Sequence, residues 1–192
     1  MNALELLFDF FEDHAQAAAA VRQRRPLALG VFCLVIGAVS FFASLCLVGR
    51  LSPLPFGWIS VSLFILWELA TGFLLASVLH MISDMEGSSG SASGLFILLG
   101  MANLVWALLV PAAMLLMAAF PRNGWPLTAA FLLVGYFNLS LKARGVRDCY
   151  GVSLGRSWMT LLLPYFSVVL VSGLVFSLAM ASLFIQLISA LG

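Results

Sequence analysis

The sequence predicts an all-α fold, a polytopic transmembrane bundle of five spans with its N-terminus in the cytoplasm and its C-terminus outside. Three observations carry this. Of 192 residues, 63% are hydrophobic and 9% are charged, whereas soluble domains carry roughly 45–50% apolar and about 25% charged residues. The few charges fall at the edges of long apolar runs, the distribution expected when lipid solvates the middle of each segment. The Lys and Arg residues also segregate to alternate sides of the predicted spans.

Residues 1–25 read as a cytoplasmic amphipathic helix with a basic leader, and residues 26–192 as the transmembrane domain. Leu4, Leu7, Phe8 and Phe11 recur at the spacing of one helical face, with Glu5, Asp9, Glu12 and Asp13 on the others. Asn2 with Glu5 three residues on has the form of a capping box. An acidic polar face is not attracted to anionic lipid, so this helix is expected to dock on protein. The alanine stretch from Ala15 to Ala20 is expected to continue the same helix to Arg22, Arg24 and Arg25.

Span one is predicted over residues 26–49, opened by Pro26 and closed by Arg50, Pro53 and Pro55. Span two covers 56–82. The acidic, Gly- and Ser-rich stretch 83–94 is expected to be a flexible turn. Span three covers 95–120, and Pro121, Asn123, Gly124 and Pro126 make the return. Span four covers 127–150: its charge-free part is short, but Lys142, Arg144 and Arg147 can follow on the same helix, since basic side chains suit its C-terminal end and reach the headgroups. Gly151 then stops it. From Ser157 onward the chain is uncharged and longer than one crossing. Pro164 is expected to divide it into a short entering segment and span five over 165–188.

Arg22, Arg24, Arg25, Lys142, Arg144, Arg147 and Arg156 fall on one side and Arg50 and Arg122 on the other, which sets the orientation stated above. Because Glu5, Asp9, Glu12 and Asp13 share the side of Lys142, Arg144 and Arg147, pairing between the two clusters is expected.

Small and polar residues within spans allow close helix approach and interhelical hydrogen bonds. Gly37, Ser40 and Ser44 mark such a stripe in span one, Gly100, Asn103 and Ala107 in span three, and Gly135 and Asn138 in span four. Glu68, near the centre of span two, must face protein or water, because an ionisable group in hydrocarbon costs several kcal/mol. It reads either as a neutral structural carboxyl or, with Asn103 and Asn138, as an ion or polar-ligand site. His80 lies about 18 Å along the helix from Glu68 at 1.5 Å per residue, so the two cannot share one site, and His80 is expected at the membrane interface.

Several classes are excluded. No basic stripe interleaved with aromatics supports nucleic-acid binding. Cys33, Cys46 and Cys149 have neither disulfide-framework nor zinc spacing, so no metal and no cofactor is expected. No nucleophile elbow or H-E-x-x-H occurs, and the Gly87-Ser-Ser-Gly90-Ser stretch lacks the lysine of a phosphate-cradling loop. The protein is therefore read as a non-enzyme.

Two stretches carry a family resemblance. One runs from His80 through Gly87-Ser-Ser-Gly90-Ser into span three. The other runs from Arg144-Gly-Val-Arg147-Asp-Cys-Tyr150-Gly-Val-Ser153 to Leu161-Leu-Leu-Pro164. With five spans and a short aromatic N-terminal helix, the chain resembles the Yip1 domain family over nearly its whole length. The resemblance implies five spans with a cytoplasmic N-terminus, and in eukaryotic members residence in Golgi or endoplasmic-reticulum membranes and association with Rab GTPases and with one another. The leader is shorter than eukaryotic tails, so a bacterial inner membrane is expected here. The resulting expectation is a membrane scaffold, accessory subunit or membrane-organising protein, in contact with lipid and with other membrane proteins or copies of itself. The alternative is a small proton-coupled transporter or channel using Glu68, Asn103 and Asn138.

Overall fold

The computed structural model describes residues 2–48, 57–120 and 124–191. Among them every regular element is helical: α1 (Ala3–Glu12), α2 (His14–Arg24), α3 (Leu27–Val48), α4 (Trp58–Met85), α5 (Ala92–Asn103), a 3-10 segment (Leu104–Leu108), α6 (Leu109–Ala119), α7 (Trp125–Tyr150) and α8 (Leu154–Leu191). Five stretches are long and apolar enough to cross a bilayer: α3, α4, the run from α5 through α6, α7, and α8 over Leu154–Met180. Gly49, Arg50, Pro53, Pro55, Phe56, Pro121, Arg122 and Asn123, used above to bound spans one to four, lie outside the described residues.

The helix ends follow from local chemistry. Asn2 caps α1, accepting from Ala3 N–H while the Glu5 carboxylate accepts from Asn2 N–H at 2.6 Å. That bond holds the Glu5 carboxyl below the usual carboxylate range. The alanine stretch does not continue this helix. The chain breaks at Asp13 (φ −127°, ψ 83°), whose side chain accepts from Gln16 N–H and so opens a second helix. An acidic residue that can bond the next turn's free N–H competes with helix continuation there. α2 ends on Arg25 in the left-handed region (φ 46°), since Pro26 disfavours a right-handed helical residue before it.

The stretch 83–94, expected as a flexible turn, is helix at both ends, and only residues 86–91 form the turn. α4 runs on to Met85, and Gly87 (φ 76°) ends it. Ser88 N–H donates to Ser83 C=O at 3.0 Å and Gly87 N–H to Asp84 C=O at 2.9 Å, the paired bonds of a glycine-terminated helix. Ser91 then caps α5 through Gly94 N–H. At the same end of the bundle, Gly151 (φ 68°) closes α7 by donating to Arg147 C=O.

Span three is not one α-helix. Pro111 has no N–H for the Ala107 carbonyl, and its ring crowds that oxygen. The chain answers with the tighter turns of Leu104–Leu108 before resuming as α6. Pro164, by contrast, does not divide the last stretch: α8 is continuous from Leu154 to Leu191 with the proline inside it. In hydrocarbon, breaking the helix would strand more backbone groups than the single bond that Pro164 forfeits. The separate entering segment and the span beginning at residue 165 are thus corrected to one helix.

α5 is the hub of the bundle and α3 packs on it most closely. A Cβ on Gly37 would lie 2.3 Å from the Asn103 carbonyl oxygen, one on Gly100 2.3 Å from the Gly30 oxygen, and one on Gly30 2.8 Å from Ile97 Cα. The glycines let two backbones touch, which is how helices associate where solvent supplies no hydrophobic drive. Residue numbers rise together along this contact, so α3 and α5 are parallel. α4 and α7 run opposite to their neighbours: Leu34 meets Gly72 and Phe42 meets Phe64, while Leu98 meets Gly145 and Ala102 meets Asn138. Toward the opposite end from α1, Phe41 stacks on Phe64 and meets Trp106 and Phe131 edge-on, from three other helical segments.

Candidate functional site

One end of the bundle gathers α1, α2, the end of α4, the start of α5, the end of α7 and the start of α8 into a polar cluster. Its centre is Asp148. His14 Nδ1 lies 2.9 Å from Asp148 Oδ2, and Arg147 donates to the same carboxylate through Nε (2.6 Å) and Nη2 (3.1 Å). The His14 side chain is 6% exposed, and its Nε2 is buried without a hydrogen-bond partner. Burial pushes the imidazole below its ordinary value, against the opposing pull of Asp148, and the nearby charges of Arg144 and Arg147 act in the same direction as burial. His14 is therefore neutral, donating from Nδ1. Phe10 packs on its ring at 4.4 Å between centroids.

A second set of contacts ties the two motif stretches together. His80 Nδ1 lies 2.9 Å from the Tyr150 hydroxyl. The Tyr150 ring covers Gly90 so closely that a Cβ there would lie 2.3 Å from it. Cys149 Sγ faces the Ser91 carbonyl at 3.7 Å, and Arg22 Nη2 reaches the carbonyls of Asp148 and Cys149 at 2.9 and 3.2 Å. Arg22 thus satisfies the free carbonyls at the end of α7, where positive charge suits the helix dipole. Arg156 Nε pairs with Glu86 at 2.9 Å across the neighbouring corner.

The charge pairing expected for the N-terminal helix takes a different form. Among the described residues no ion pair joins Asp9, Glu12 or Asp13 to Lys142, Arg144 or Arg147. Glu5 and Asp13 serve as helix-capping groups instead, and Asp148 supplies the carboxylate that Arg147 uses. The buried face of α1 differs too. Leu6 and Phe10 are buried and Leu7 is half-buried, whereas Leu4 (74%), Phe8 (66%) and Phe11 (44%) are exposed. The face read from sequence is largely the outer one.

Inside the bundle, Asn138 donates from Nδ2 to Ala102 C=O at 2.8 Å and to Asn103 Oδ1 at 3.2 Å, with both side chains buried. The two asparagines meet at the α5–α7 contact. Glu68 is not with them. Half-buried on α4, it lies within electrostatic range of Lys142 on α7 and Tyr165 on α8, and no contact ion pair joins it to Lys142. Lys142, grouped by sequence with the basic cluster at the bundle end, lies instead within electrostatic range of Glu68. This follows from helix geometry, because side chains lean toward the helix N-terminus and Lys142 leans away from the basic end.

His14, Asp148 and Tyr150 are the residues that sequence reasoning did not single out as site members. The available signal was Asp148 itself, a lone carboxylate inside a basic stretch. Among the described residues no group of three or more His, Cys, Asp or Glu side chains could hold a metal ion.

Fold and site together define an all-helical bundle with five helices long and apolar enough to cross a membrane, a polar cluster at one end, and Glu68 within electrostatic range of Lys142 inside it. Comparison with family models, with curated proteins and with solved structures gave no match.

Proposed function

We propose that this protein is a non-enzymatic membrane scaffold of the Yip1 type, seated in a bacterial inner membrane with its N-terminus in the cytoplasm, that engages another membrane protein through α1. The observation that carries the reading is the division of labour on α1: Leu6 and Phe10 fasten it to the bundle while Leu4, Phe8 and Phe11 face outward. A fastened helix with a free aromatic stripe is a preorganised binding element. Glu5, Asp9 and Glu12 surround the stripe, so its occupant is a protein surface with basic flanks rather than an anionic bilayer. Two further points support the reading. The seven-to-two distribution of basic residues favours an inward N-terminus, and the two stretches that resemble the Yip1 family meet at the end of the bundle that carries α1.

A photo-crosslinker at Phe8, used in intact membranes, tests this. One defined membrane protein should be captured, and capture should fall when Asp9 and Glu12 are both changed to Lys. Crosslinks to lipid alone, or capture indifferent to those charges, would overturn the scaffold reading. Capture of a second copy of the chain would replace the foreign partner with self-association.

The electrostatic approach of Glu68, Lys142 and Tyr165 favours a second reading, a small proton-coupled transporter. Its test is flux in proteoliposomes. Glu68→Gln should abolish pH-driven uptake under this reading, and unchanged flux removes Glu68 from any transport mechanism.

A further inference from the structure

Beside the His14–Asp148 pair, α2 and the end of α7 enclose an open cavity of about 340 Å³. It exists because two of the three α2 residues that face it are alanines, Ala15 and Ala19, and because Gly151 at the end of α7 has no side chain. Arg22 and Arg147 line it, with Asp148 between them. The Asp148 charge is already matched: both carboxylate oxygens are bonded to Arg147, and Oδ2 to His14 as well. Arg22 meets only backbone carbonyls, and only through Nη2. Its remaining donors are not used by these bonds, and its charge is balanced by no carboxylate among its described partners. Arg144 adds a further positive charge near His14, and Asp148 is the one carboxylate among the residues that line the recess.

The level of the cavity is informative. α7 ends at Tyr150, its last turns carrying Lys142, Arg144, Arg147 and Asp148, and α8 begins at Leu154, so the cavity opens beside the charged end of one apolar helix and the start of the next, a level that suits lipid headgroups. Basic recesses between helices at that depth suit lipid phosphates, and the planar guanidinium fork matches a phosphate's oxygens. No acidic side chain of α1 lines the recess among the described residues.

We propose that this recess binds the phosphate of an anionic lipid headgroup, with Arg22 as the principal contact and Arg147 as the second. The inference is independent of the scaffold reading, since it concerns α2 and α7 rather than the outer face of α1. Bound lipid bridges the two helices and fixes the N-terminal pair at the membrane surface.

The full chain, purified in detergent and stripped of lipid, is titrated with phosphatidylglycerol, with phosphatidylcholine and with inorganic phosphate, and thermal unfolding is followed. Phosphatidylglycerol should raise the unfolding midpoint and phosphatidylcholine should not. Arg22→Gln should weaken the apparent affinity about tenfold, the loss of one charge-assisted hydrogen bond. Ala19→Leu should do so while leaving every charge in place, because it fills the recess. Both positions are exposed, and the unfolding midpoint of each variant without lipid supplies its own baseline. Protection by inorganic phosphate as strong as that by phosphatidylglycerol would support the anion site but overturn its assignment to lipid. Equal affinity of the original protein and both variants for phosphatidylglycerol would overturn the site.

Discussion

His14 and Asp148, 134 residues apart in sequence, meet at 2.9 Å, and this bond joins the N-terminal helix pair to the end of α7. The histidine brings its ring into a buried position where only one of its two nitrogens has a partner. Neutral imidazole tolerates this. Imidazolium does not, because its second N–H would be buried without an acceptor.

The docking of α1 and α2 should therefore weaken in acid. Burial depresses the folded His14 value below that of the unfolded chain, so the unfolded state binds the proton more readily. Stability from the neutral ring is fully present above the unfolded value, about 6.5, and is lost as pH falls through the lowered folded value. Hydrogen exchange over residues 3–24 between pH 8 and 5 should show this loosening, and His14→Gln should remove its pH dependence.

Gly37→Ala and Gly100→Ala should each destabilise the α3–α5 contact by about 1–3 kcal/mol, because the new methyl meets a backbone carbonyl that cannot step aside. Gly72→Ala is the control. Its Cβ meets the tip of the Leu34 side chain at 2.9 Å, which can rotate, so the loss should be clearly smaller. Thermal unfolding in one detergent compares all three.

Asn138→Leu should cost about 0.6–2 kcal/mol by removing the donor shared between Ala102 and Asn103. The double variant with Asn103→Leu should cost less than the sum of the two single changes, since it leaves no buried amide without its partner. A double-mutant cycle on unfolding midpoints measures this coupling.

Tyr150→Phe and Gly90→Val separate two roles of one ring. The first removes the hydroxyl bond to His80 and should cost about 0.5–1.5 kcal/mol. The second drives a side chain into the ring face, where a Cβ alone would lie at 2.3 Å, and should cost more. Protease sensitivity of the turn between α4 and α5 should rise sharply in Gly90→Val and little in Tyr150→Phe.

The five long apolar helices were legible because length and uninterrupted apolarity are written in consecutive residues. The end of α7 was legible for the same reason: basic residues followed by Gly151 are local signals. The behaviour of Pro111 and Pro164 was not, since one proline follows a 3-10 stretch and the other rides inside a helix, and the difference lies in what surrounds the freed carbonyl. Nor could the sequence say which face of α1 is covered. Leu4, Leu7, Phe8 and Phe11 make the longer apolar row, but Leu6 and Phe10 are the side chains that meet α2 and its neighbours. The approach of Glu68 to Lys142 was hidden because the two residues sit on different helices, and single-sequence patterning carries no information about which helices are neighbours. His14 was hidden by the same limit.

The last helix leads somewhere else. Past Tyr165, which lies near Glu68, every described side chain of α8 from Phe166 to Met180 is exposed, so that length of chain is covered by no other helix of the bundle. Its lettering is free in a way that the rest of the molecule is not. Shuffling the order of its apolar residues should leave the bundle intact, and a tag or reporter appended there would be carried without disturbing the cluster at the other end.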